Sequence, residues 1–92
     1  MHLTDKQRVE RLGHLNNGWK IENQLLVRSF EFKDFVNAFE FLKRVADISE
    51  KNNHHPHIYN SYNKVVIKLI THDLDSISSK DFDLALEIDK IK

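Results

Sequence analysis

The residues that decide the fold of this chain are 34–51, DFVNAFEFLKRVADISEK. Their apolar side chains recur at intervals of three and four positions, which is typical of one side of an α-helix. This apolar stripe consists of Phe35, Ala38, Phe39, Leu42, Val45 and Ala46. The pattern predicts a helix from Asp34 to about Lys51 whose apolar side packs against another layer of the protein.

Two further helices are marked by capping boxes, in which two side chains three positions apart satisfy free backbone N–H groups at a helix start. Thr4 and Gln7 begin the first of them, which is predicted to end at Asn16-Asn17-Gly18. Ser78 and Asp81 begin the last helix. The predicted buried side of that last helix contains Leu84, Ala85, Ile88 and Ile91.

Between the helices the apolar pattern changes to a period of two, which is typical of β-strands. A hairpin is predicted over residues 19–32, with its turn at Asn23-Gln24. A second pair of strands begins at residues 57–59, turns at residues 60–63 and continues along an apolar row. That row contains Val65, Ile67, Leu69 and Thr71.

The predicted order of elements is α-β-β-α-β-β-α, an α+β fold in which about three helices pack on one face of an antiparallel four-stranded sheet. No linker, low-complexity tract or sequence repeat divides the chain, so residues 1–92 are expected to form a single domain. The aromatic side chains expected in its core are Trp19, Phe30, Phe32, Phe35 and Phe39.

Composition excludes several classes of function. The chain has 14 basic and 14 acidic residues, so it lacks the positive charge of a protein that binds nucleic acid or anionic membranes. It has no cysteine, which excludes disulfides and thiol chemistry and fits a reducing cytosol. The first residues lack the apolar core of a signal peptide, and no apolar stretch approaches the roughly 20 residues that span a bilayer. We therefore expect a cytoplasmic protein with no membrane partner.

A cluster of histidines indicates where the function resides. Residues 50–60 contain three of the six histidines and the only proline. Histidine has an unperturbed pKa of about 6.5, so such a cluster suggests acid/base chemistry or metal binding. Pro56 disfavours helical backbone at His55, so the long helix must end earlier and His54 and His55 should point to opposite sides. Glu50 lies four residues before His54, where its carboxylate can orient an imidazole.

His72 is a fourth candidate, because it follows the apolar row of the last strand. It has the opposite parity to that row, so it should project away from the core or lie at the strand's end. His2 and His14 match no motif, and these two and His57 are expected to be surface or hydrogen-bonded residues without a catalytic role.

Taken together, these motifs resemble the pterin-4a-carbinolamine dehydratase family, and the resemblance covers about residues 3–91. The motifs that carry it, in order, are Gly18-Trp19, Phe30-x-Phe32-x-Asp34-Phe35-x-x-Ala38-Phe39, Arg44-Val45-Ala46, Glu50-x-x-x-His54-His55-Pro56, Asn60-x-Tyr62-Asn63-Lys64-Val65, Thr71-His72 and Ile77-Ser78-x-x-Asp81. Two positions depart from the family pattern: Ile58 stands where an aromatic residue is common, and Ser76 stands where glycine is usual.

The resemblance implies a carbon–oxygen lyase that dehydrates 4a-hydroxytetrahydrobiopterin (pterin-4a-carbinolamine) to quinonoid dihydropterin, in tetrahydrobiopterin recycling. It implies no cofactor and no metal. His54 and His72 would be general acids on opposite faces of the pterin, and His55 would hold the ring and assist proton removal. Glu50 would support His54, and Asp81 would orient His72. The residues implied to contact the substrate are His54, His55, Pro56, Thr71 and His72.

Two other classes of function remain open. A metal site built from His54, His57 and His72 would make the protein a metallohydrolase, although the spacing lacks an established ligand motif. Alternatively, the domain is a non-catalytic protein-binding or transcription-cofactor module, a role that some members of the resembled family have.

Small size and open edges predict self-association. A chain of 92 residues buries only about 60 to 65 % of its unfolded surface, and a four-stranded open sheet leaves two edges bare. A symmetric assembly covers such surfaces. We expect a homodimer or a homotetramer.

Overall fold

Seven elements form the part of the chain that the structure, a computed structural model, describes, residues 3–91. They are α1 (Asp5–Leu12), β1 (Lys20–Glu22), β2 (Leu25–Glu31), α2 (Phe35–Asn52), β3 (His57–Ser61), β4 (Lys64–Leu69) and α3 (Ser79–Asp89). The strands pair antiparallel in the spatial order β1-β2-β4-β3. The predicted α+β fold and its order of elements are confirmed.

Capping residues set the helix starts as predicted. The Thr4 side chain accepts from the Gln7 backbone N–H, and the Gln7 side chain accepts from the Thr4 backbone N–H. Ser78 and Asp81 form the second capping box, at the start of α3. Helix α1 ends at Gly13 and not at residues 16–18. Glycine is a poor helix former, so it ends a helix that has no buried residue to stabilise another turn.

Local backbone chemistry also fixes the turns. Asn23 and Gln24 both have positive φ, 49° and 65°, which gives a two-residue hairpin whose twist matches that of the strands. Helix α2 ends at Asn53, which adopts the left-handed conformation, three residues before Pro56. The predicted stop before the histidine cluster is therefore confirmed.

The predicted core of α2 is partly wrong. Phe35 and Phe39 are each 46 % exposed, and Ala46 is exposed as well. The residues that α2 buries are Ala38, Phe41, Leu42, Val45 and Ser49. The apolar side of α2 is wider than the surface that the sheet and α3 cover. One edge of it, which carries Phe35 and Phe39, therefore remains exposed and is the uncovered flank of α2.

The rest of the core follows the sequence pattern more closely. Trp19 is buried, while Phe30 and Phe32 are half-buried and pack their rings within 5.0 Å of the Phe41 ring centroid. The apolar row of β4 and the residue beyond it, Thr71, are all buried on the helix side of the sheet. None of the helices within residues 3–91 has the length and apolar character that crossing a membrane requires.

Side-chain hydrogen bonds fix the short loop after β4. Its ends, Thr71 and Ser76, form an isolated antiparallel bridge, and the left-handed backbone in it belongs to Asp75, with φ 52°. The Ser76 hydroxyl accepts from Arg8 Nη2 at 2.7 Å and lies 3.3 Å from Gln24 Oε1, to which it donates. Serine therefore fits at position 76 without glycine-like backbone, and its hydroxyl links this loop to α1 and to the hairpin turn.

We predict that Phe82→Ala lowers the free energy of unfolding by about 3–5 kcal/mol, because Phe82 is buried at the start of α3 and its removal leaves a cavity. Urea unfolding at a fixed protein concentration measures the loss. Leu86→Ala, at an exposed position of the same helix, is the matched control and should cost less than about 1 kcal/mol. Equal losses would contradict the packing described for α3.

Candidate active site

Three chain segments meet at one end of the sheet. They are the C-terminal end of α2 with the residues after it, the Thr71-His72 step beyond β4, and the N-terminal turn of α3. Together they surround a cavity of about 350 Å³, lined by Asn53, His54, His55, Thr71, His72, Asp73 and Lys80. Two larger grooves in the described residues, of about 470 and 500 Å³, contain no histidine, so the chemistry points to the smaller cavity.

Asp81 is the centre of the site, and its side chain is 0 % exposed. One carboxylate oxygen, Oδ1, lies 2.5 Å from His54 Nε2. The other, Oδ2, accepts from Thr71 Oγ1 at 2.8 Å and from the Ser78 backbone N–H at 2.9 Å. A buried carboxylate is costly unless it is paired and hydrogen-bonded, and these partners meet that requirement.

The contact with Asp81 defines which atom of His54 can react. An ionised carboxylate only accepts hydrogen bonds, so His54 Nε2 carries the shared hydrogen. No described residue hydrogen-bonds the other ring nitrogen, Nδ1. Nδ1 is therefore the atom of His54 that can give a proton to a ligand or take one from it.

A chain of hydroxyl groups supports the carboxylate. Ser78 Oγ and Thr71 Oγ1 lie 2.5 Å apart, and the Lys80 backbone N–H donates to Ser78 Oγ. Because Thr71 gives its proton to Asp81, Ser78 is the donor in the pair of hydroxyls. Thr71, predicted as a substrate contact, lines the cavity, but its proton is already committed to Asp81.

His55 has a separate carboxylate partner at the surface. Its Nε2 lies 2.5 Å from Glu50 Oε2, and the two side chains are 57 % and 78 % exposed. The predicted pairing of Glu50 with His54 is therefore corrected: Glu50 faces His55, and Asp81 faces His54. Residues 50 and 54 are one helical turn apart only in a continuous helix, and the left-handed Asn53 ends α2 before that turn is complete.

His72 is exposed and lies in the turn that follows Thr71. Asp81 does not contact it, so the predicted Asp81–His72 pairing is also corrected. The aromatic neighbour of His72 is His57, with ring centroids 5.4 Å apart and an angle of 34° between the planes.

Some residues of this region differ from expectation. Pro56 is half-buried and does not line the cavity, whereas Asn53, Asp73 and Lys80 line it without having been predicted. His57 is exposed, as predicted, and its ring also lies beside that of His72. Parity could not have placed it beside His72, because β3 has no buried position, and the side on which His57 lies is set by its pairing with Lys68 in β4.

A metal centre is not supported by this arrangement. Within residues 3–91, no group of three or more His, Cys, Asp or Glu side chains is placed to hold a metal ion. His54 is turned toward Asp81, and His57 and His72 pack on each other. The alternative site built from these three histidines is therefore not formed.

We predict that Thr71→Val lowers the free energy of unfolding by about 1–3 kcal/mol, because it removes a donor from a buried carboxylate while keeping the side-chain shape. Urea unfolding measures the change. Glu50→Gln is the control, since it breaks an exposed pair and should cost no more than about 0.5 kcal/mol. A loss no larger than that of the control would contradict the dependence of Asp81 on Thr71.

Comparison with known proteins gives a consistent result. The family model described as Pterin 4 alpha carbinolamine dehydratase matches residues 1–91. A protein of Prochlorococcus marinus (strain MIT 9515) bearing the name pterin-4-alpha-carbinolamine dehydratase is 44 % identical over 90 residues, which are 98 % of this chain and 94 % of that protein. One of the same name from Sulfolobus acidocaldarius is 38 % identical over 92 residues, the full length of both. The crystal structure of a transcriptional coactivator/pterin dehydratase from Brucella melitensis superposes with a TM-score of 0.90 at 36 % identity, covering 96 % of this chain and 95 % of that one.

Proposed function

Because the chain belongs to the pterin-4a-carbinolamine dehydratase family, we propose that it dehydrates 4a-hydroxytetrahydropterin to quinonoid dihydropterin in the histidine cavity. The observation that carries the proposal is His54, which lines the cavity, is fixed by a buried carboxylate through Nε2 and has no hydrogen-bond partner among the described residues at Nδ1. The cavity volume of about 350 Å³ lies within the range typical of small-molecule sites.

The reaction needs two proton transfers and no change of oxidation state. The bond between C4a and the hydroxyl oxygen breaks as the N5 lone pair forms the C4a=N5 double bond. Hydroxide is a poor leaving group, so a general acid protonates the departing oxygen and water leaves. A base then takes the N5 proton, which balances the reaction.

The histidines divide these tasks in our proposal. His54 and His72 are the general acids, and each serves the stereoisomer whose hydroxyl lies on its side of the ring. Asp81 supports this role of His54 by holding the imidazole in one orientation through the 2.5 Å contact with Nε2. His55, oriented by Glu50, holds the pterin and assists removal of the N5 proton.

We predict dehydration well above the uncatalysed rate in the presence of a chelator and without added nucleotide. Decay of the carbinolamine, followed by ultraviolet absorbance, measures it. His54→Ala and His72→Ala should each lower turnover of the matching stereoisomer by about 10²- to 10⁴-fold, the loss expected when a general acid is removed. His55→Ala should mainly raise KM.

The control for these variants is His14→Ala, at an exposed position outside the cavity, which should keep the full rate. A wild-type rate equal to the uncatalysed one would overturn the proposed activity and favour the non-catalytic binding module. Equal losses in all four variants would overturn the assignment of roles.

We further propose that the protein assembles as a homodimer or a homotetramer. The uncovered flank of α2 exposes Phe35, Val36 and Phe39, and the bare edge strand β3 exposes Ile58 on the same side of the sheet as the helices. Apolar residues in such number on one helix, together with an open strand edge, are typical of a surface that a second copy covers.

We predict a mass of two or four chains when size exclusion is coupled to light scattering at micromolar concentration. Phe39→Glu should lower that mass, because a charge in an apolar interface costs desolvation energy. Val9→Glu, at an exposed apolar position on α1, is the matched control and should leave the mass unchanged. A folded wild-type species at the 10.9 kDa chain mass would refute assembly and leave the catalytic proposal intact.

A further inference from the structure

The two proposed general acids are held in different ways. The His54 side chain is 13 % exposed and is fixed by the buried Asp81 carboxylate. His72 is exposed in the turn after Thr71, and no described residue hydrogen-bonds its ring. A histidine without any restraint spends much of its time in rotamers that do not face the substrate, and this lowers the rate of proton transfer.

The residue placed to restrain His72 is His57, because Asp81 does not contact His72. His57 begins β3 opposite Lys68, on the side of the sheet away from the helices. His72 lines the cavity from the turn that follows Thr71, and its ring lies next to that of His57. The two ring centroids lie 5.4 Å apart, within the range of favourable aromatic pairs, and the ring planes are tilted by 34°.

We infer that His57 is a positioning residue for His72: its ring packs against the His72 imidazole and keeps that imidazole turned toward the cavity. The inference rests on the proposed dehydration. His57 does not line the cavity, so its effect on the rate passes through His72. It follows that His57 matters for the stereoisomer protonated by His72 and not for the one protonated by His54.

The test compares kcat and KM of the full chain for both stereoisomers. The stereoisomer that depends on His72 is first identified with His72→Ala. His57→Ala should then lower kcat for that stereoisomer by about three- to tenfold, the loss expected from an aromatic pair of ordinary strength, with KM unchanged. The other stereoisomer should keep its rate within about twofold.

A conservative variant separates positioning from proton relay. His57→Phe keeps a ring in the same place and should restore kcat to within about twofold of wild type, because the inferred role needs packing and not a proton. Tyr59→Ala, at an exposed aromatic position on the same strand and the same face, is the matched control and should leave both rates unchanged. Equal losses on both stereoisomers, or a Phe variant no better than the Ala variant, would overturn the inference.

A spectroscopic measurement tests the contact independently of activity. In wild type, NMR should show cross-relaxation between the His57 and His72 rings, and the side-chain couplings of His72 should report one dominant rotamer. In His57→Ala, exchange among rotamers should average the side-chain couplings of His72. Averaged couplings in wild type would overturn the inference even if dehydration is confirmed, whereas a wild type with ordered His72 and no dehydration would overturn only the proposed function.

Discussion

The satisfied carboxylate of Asp81 is the interaction on which the other parts of the site depend. It joins the N-terminus of α3, the end of β4 and the histidine that follows α2, through Ser78, Thr71 and His54 respectively. Removing one partner from a buried ion pair typically costs about 3–5 kcal/mol, since the remaining charge is left without compensation. The same carboxylate therefore stabilises the junction of three elements and sets the orientation of a proposed proton donor.

Local signals in the sequence predicted most of the fold. The capping residues Thr4 and Ser78, the turn at Asn23-Gln24 and the stop before Pro56 all act within a few residues of chain, so they are readable without tertiary information. Strand parity correctly placed the apolar row of β4 on the helix side. The exposure of Phe35 and Phe39 was not readable, because it depends on how much surface the rest of the chain offers to α2.

The sequence singled out His54, His55, Thr71 and His72, which line the cavity, but it did not indicate Asn53, Asp73 or Lys80, and it did not give the pairings of the carboxylates. Glu50 faces His55 and not His54, and Asp81 faces His54 and not His72. These contacts are decided by how α2 ends and by where the α3 N-terminus docks, and both are properties of the assembled structure. Ser76 shows the same limit: its hydroxyl links Arg8 and Gln24, which lie far from it in the chain.

Asp81 both caps the first turn of α3 and holds His54, so the thermal stability of the site depends on that one turn. The first turn of α3 is capped and buries Asp81 and Phe82, so its opening also breaks core contacts. When the first turn of α3 frays, Asp81 leaves Ser78 and Thr71, and His54 loses its anchor in the same event. The arrangement of Asp81, Thr71 and His54 is thus no more durable than this one turn.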